Sequence, residues 1–132
     1  MRSAQCLGLV IALAFILGCG SSSPKTINGP WQFTLTSTAS PGLSFSASTT
    51  LTPSGTGISG TVSFSNNPCA TSGLLAGGIS GQNVFFQITE GNQVLSLTGT
   101  VDSAFTAMSG TYTASASGCT NGDAGSWTAT AG

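Results

Sequence analysis

The chain has 132 residues, of which only 4% are charged; its net charge is −1 and it holds no histidine. That balance excludes a basic face for nucleic acid and a polybasic membrane patch. With no histidine to activate its many serines, it also lacks the usual acid–base and nucleophile pairs of a hydrolase.

Met1-Arg2 is a minimal positive start, followed by an uninterrupted apolar run from Leu7 to Leu17. A bilayer-spanning helix needs about 20 apolar residues, so this shorter run reads as a secretory signal. It ends at Ile16-Leu17-Gly18-Cys19. Those four residues resemble the lipobox of bacterial lipoproteins: an aliphatic residue, a second small or aliphatic one, a small one, then cysteine. Leu17 is larger than the residue usual at its position. The resemblance implies removal of residues 1–18, with diacylglycerol on the Cys19 sulfur and a further fatty acid such as palmitate on its amine. More than one acyl chain suffices for stable anchoring, so the expected partner is a membrane. Gly20 in place of an aspartate implies the outer membrane where the host envelope has two. Residues 19–29 follow as the lipidated cysteine and a flexible Gly/Ser/Pro-containing tether, which fully extended holds the domain within roughly 30 Å of the headgroups.

Residues 30–132 read as a single all-β domain, because apolar residues recur at every second position. Trp31, Phe33 and Leu35 share one face, as do Leu43, Phe45, Ala47 and Leu51, then Ile58, Val62 and Phe64. A weaker strand covers Gly73 to Ser80. Val84, Phe86 and Ile88 follow, then Leu95, Leu97 and Val101, then Met108 and Tyr112, then Trp127 and Ala129. Turn residues separate these segments at Ser40-Pro41-Gly42, Pro53-Ser54-Gly55, Asn66-Asn67-Pro68, Gly91-Asn92 and Asn121-Gly122-Asp123. No stretch keeps a helical period after the signal. About eight short strands in order make an antiparallel up-and-down meander. It can close into a small barrel or fold as a two-sheet sandwich. Closure is favoured because almost no charges exist to guard an open edge.

A short pattern recurs in ISGTV (58–62), ISGQNV (79–84), LTGTV (97–101) and MSGTY (108–112). Its glycine either marks a sharp bend at a barrel corner or echoes a Gly/Ser/Thr-rich composition. Gly29-Pro30-Trp31 and Gly125-Ser126-Trp127 each form a G-x-W, one on the first strand and one on the last. In this the domain resembles the lipocalin and avidin group of up-and-down barrels. The lipocalin arginine that stacks across the first tryptophan has no counterpart here, so no ligand is carried over from that resemblance.

Cys6 leaves with the signal, which leaves Cys69 and Cys119 as an even pair in an exported protein, and a disulfide is expected. In a meander the loops after strands three and seven lie at the same end, which suits that pairing. The mature chain offers Lys25, Glu90, Asp102 and Asp123 as its only charged side chains. Glu90 and Asp123 fall at one end of the meander but in turns, where carboxylates are usually solvated. The CTNGDAG stretch has a single carboxylate and reads as a turn, so neither a metal nor a cofactor is expected, nor an enzyme. Two functions stay open. The barrel binds a small hydrophobic ligand in a cavity lined by Trp31, Phe33, Phe45, Phe64, Phe86, Tyr112 and Trp127, or its core is filled and it contacts an envelope component through its surface or loops.

Overall fold

The computed structural model describes residues 26–39, 42–116 and 122–132. Cys6, Cys19, the expected signal segment and Cys119 lie outside these residues. Eight antiparallel strands follow in order: β1 (Gly29–Ser37), β2 (Ser44–Ser54), β3 (Gly57–Ser65), β4 (Ser72–Ser80), β5 (Asn83–Glu90), β6 (Gln93–Val101), β7 (Ala107–Ala114) and β8 (Asp123–Ala131). Each pairs with the next, and β8 pairs with β1, which closes the barrel. No helix occurs among the described residues. Closure satisfies every strand edge by backbone pairing, where an open sheet of this composition would have no charged side chains to protect it.

Three hairpins turn in two residues, at Gly55-Thr56, Gly81-Gln82 and Gly91-Asn92. In each the first residue is a glycine at φ near +60° (64°, 61° and 63°), as a type II′ turn requires. Gly81 of the recurring pattern therefore serves a turn. The pattern's other three glycines, Gly60, Gly99 and Gly110, lie within strands at inward-facing positions. Pro53-Ser54, expected in a turn, instead ends β2 opposite Ile58 and Gly57.

Residues of one parity face inward and form a single core cluster. Ile27 belongs to it at 1% exposure, two residues ahead of β1. The Trp31 indole N–H donates to the Ile27 carbonyl at 2.8 Å and fixes that approach. Ile27 is thus part of the core although it precedes β1. Ile27 closes the end of the barrel where β1 begins, called the near end below. The far end carries the β1–β2, β3–β4, β5–β6 and β7–β8 connections.

Candidate functional site

The seven residues expected to line a cavity are all buried. Phe33 on β1 and Phe86 on β5 come from opposite walls, four strands apart in the ring. Their ring centroids lie 5.9 Å apart, edge to face. Trp127 joins both, at 5.5 Å from Phe33 and 6.0 Å from Phe86. Nearer the far end, Phe45 meets Phe64 at 6.1 Å and Tyr112 at 6.3 Å. These are ordinary contact distances for aromatic pairs, so side chains span the lumen at two levels. Inward glycines, which could have left space, do not: a Cβ at Gly99 would meet the Trp127 indole at 2.9 Å. Ala76 and Gly78 sit on the outward face of β4 and leave no space inside.

Both tryptophans of the G-x-W pairs are core residues on adjacent strands, with Leu35 opposite Trp127. The Trp127 indole N–H is shared between the carbonyls of Thr98 (3.2 Å) and Thr111 (3.1 Å). Buried indoles commonly find such a partner, and the bond orients the ring.

Polar side chains collect at the far end. Glu90 closes β5 and pairs with Gln93 across the Gly91-Asn92 turn. Both are inward-facing and buried, which corrects the expectation of a solvated turn carboxylate. Asn67 Nδ2 approaches Glu90 Oε2 at a long 3.4 Å, and Glu90 Oε1 is buried with no hydrogen-bond partner. Burial raises the Glu90 carboxyl above its ordinary value, and the Asn67 contact only partly offsets this. Asp123, at the start of β8, accepts hydrogen bonds from the Ser37 and Tyr112 hydroxyls. Tyr112 is held well above the usual phenol range, first by burial and then by Asp123. Glu90, Gln93, Asp123, Asn67 and Cys69 all border one cavity of about 30 Å³, large enough for a single water. Parity alone would have placed Glu90 and Gln93 inward; their polar identity argued against it.

The Glu90 environment predicts a pH dependence of stability. A carboxyl whose folded value is raised contributes fully below its unfolded value and loses that contribution as pH rises through the folded one. Each unit of difference is worth about 1.4 kcal/mol. Glu90→Gln keeps the shape without the charge. Melts between pH 4.5 and pH 8 should show the variant gaining stability on the wild type as pH rises. Equal slopes for the two proteins would refute this reading of Glu90.

The outward positions of all eight strands carry no ionisable side chain. Hydroxyls form ladders across them, as in Thr100–Ser109–Thr128–Thr34–Ser46 from β6 through β2. The exceptions cluster on β4 and β5, where Leu74 and Phe85 are exposed. The Phe85 ring lies over Gly78, where an added Cβ would meet it at 2.9 Å. Beside this region, the outer wall of β6, β7 and β8 has a depression of about 630 Å³ at the near end. Thr100, Ser109, Thr128, Thr130, Gln82 and Asp102 contribute to its lining together with Val101, Met108 and Ala129. No His/Cys/Asp/Glu cluster suited to a metal occurs among the described residues. No protein-family model matches the chain, and no curated protein matches it either.

Proposed function

We propose that the chain is an acylated envelope lipoprotein whose filled, non-catalytic barrel acts through its outer surface on a component of the cell envelope. The observation that carries this reading is the contact between Phe33 and Phe86 from opposite walls. A barrel meant to hold a lipid-sized ligand keeps a continuous lumen, and here rings occupy it. The lipobox-like Ile16-Leu17-Gly18-Cys19 supports anchoring through acyl chains on Cys19. We also propose a Cys69–Cys119 disulfide at the far end. Cys69 borders the same small cavity as Ala114 and Asp123, the two strand ends that flank the stretch holding Cys119. Closing a loop of that length is worth about 4 kcal/mol in the chain-entropy account.

Native mass spectrometry of the full-length protein from a bacterial host tests these points together. The expected mass is that of the chain cut before Cys19, with acyl groups added and the mass deficit of a disulfide. A lipid-sized adduct released from each barrel would overturn the filled core. An uncut, unmodified start would overturn the anchor.

A further inference from the structure

We propose that the depression across β6, β7 and β8 is a binding site for an uncharged glycan, with Phe85 as a stacking platform at its edge. The inference rests on the reading that the barrel works through its outer surface, and it names the class of partner. At about 630 Å³ the depression has the volume of a small-molecule site. Two glycines of the recurring pattern lie next to its lining. Gly99 and Gly110 face each other across β6 and β7, and a Cβ on either would run into the neighbouring backbone. With no side chains between them, the two strands approach closely.

The chemistry of the lining selects the ligand. Thr100, Ser109 and Thr128 stand side by side on one ladder, pointing outward, with no intramolecular partner for their hydroxyls among the described residues. Gln82 donates its amide to the Val101 carbonyl at 2.9 Å, which aims its side-chain oxygen without engaging it. Met108 and Ala129 also border the depression, but both side chains are buried in the core, so the apolar face on offer is the exposed Phe85 ring. A sugar ring has the matching pair of features: hydroxyls at its edge and C–H groups on its face.

Ions fit poorly. The only carboxylate in the lining, Asp102, already accepts the Thr106 N–H (2.8 Å), the Thr106 hydroxyl (3.0 Å) and the Ala107 N–H (3.3 Å). It has little capacity left for a cation, and its charge disfavours an anion. No lysine or arginine lines the depression.

Phe85 extends the site. Asn83 faces Thr100, and Phe85 faces Thr98, so Phe85 and Thr100 are diagonal neighbours on one surface, about 7–8 Å apart. The tip of the Phe85 ring sits beside Gly78, and the side chain is 55% exposed. Its cover of a strand glycine explains the orientation of the ring. Its place between two amide side chains, Asn83 and Gln87, is what suits a second sugar unit.

The test is amide NMR of the full chain in a zwitterionic, sugar-free detergent. The titrants are cellohexaose, laminarihexaose and chitohexaose, with oligogalacturonate as the charged comparator. At least one neutral oligosaccharide should give saturable shifts confined to β5–β8 at the near end. The affinity should be on the order of 1 mM and insensitive to salt. Ser109→Trp, which fills the depression from an exposed position, should weaken binding by about tenfold or more. So should Thr100→Val with Thr128→Val, which removes hydroxyls and keeps shape. Thr89→Trp, on the far part of β5, should bind as the wild type does. No saturable shifts with any neutral titrant would overturn the site, while a barrel with no releasable lipid would leave the filled-core reading standing. Equal binding by Ser109→Trp, or equal binding of oligogalacturonate, would also overturn it.

Discussion

Replacing Gly110 with valine should cost the barrel about 3 kcal/mol or more, a large part of the roughly 5–15 kcal/mol that holds a domain together. A Cβ at this position would overlap the Thr98 carbonyl and stand 2.6 Å from the Gly99 Cα. Both are backbone atoms of the adjacent strand, so no rotamer change relieves the clash, and β6 and β7 must separate. Gly81 is the informative contrast. Nothing lies within 4 Å of a Cβ there, and its only demand is the positive φ of 61°. Gly81→Ala should therefore cost only about 1–2 kcal/mol. Urea denaturation of both variants measures the difference directly through the shift in midpoint. Similar shifts for the two would mean that strand approach at Gly110 is not limiting.

The second large effect is expected at Phe86. Truncation to alanine removes a ring that touches Phe33 and Trp127 at the middle of the lumen. Large-to-small changes of this kind cost about 3–5 kcal/mol, because the surroundings collapse only partly into the space. The remaining void is lined by aromatic and aliphatic carbon, so it should stay dry and admit a small apolar guest. Benzene should bind the Phe86→Ala protein saturably, raise its denaturation midpoint and leave the wild type unchanged. Comparable uptake by the wild type would show that the core has room that the ring contacts do not suggest.

Much of this architecture was readable from period-two alternation. Every strand expected from spaced apolar residues is present, and the scarcity of charge correctly favoured closure. The misses share a cause: alternation assigns a side to each position but cannot say what a polar side chain does there. Thr49, Glu90 and Gln93 carry inward parity and are buried, yet each reads as surface by composition. Thr49 reaches the Thr61 carbonyl at 2.6 Å, a bond that depends on which strands are neighbours. Phe85 and Phe86 show the converse. Alternation with Val84 and Ile88 put Phe86 inward, and the register sets it opposite Leu97, which leaves Phe85 exposed. Ile27 was missed because it precedes the alternating run, and its burial depends on the bond from the Trp31 indole. The outer depression had no sequence signature, because Thr100, Ser109 and Thr128 come side by side only through register.

The way β1 is held would have a mechanical consequence if the chain is anchored through Cys19 as proposed. The strand is clasped on both sides, by β2 from Gly29 to Thr36 and by β8 from Trp31 to Ser37. A tug on the chain ahead of Thr26 pulls along the strand axis. The hydrogen bonds of both ladders then share the load in shear, instead of parting one after another as in an unzipping hairpin. Ile27 would also have to leave the core and give up its bond with the Trp31 indole. Anchored in this way, the barrel would resist extraction by a moving partner, and the grip on that partner would give way before the fold.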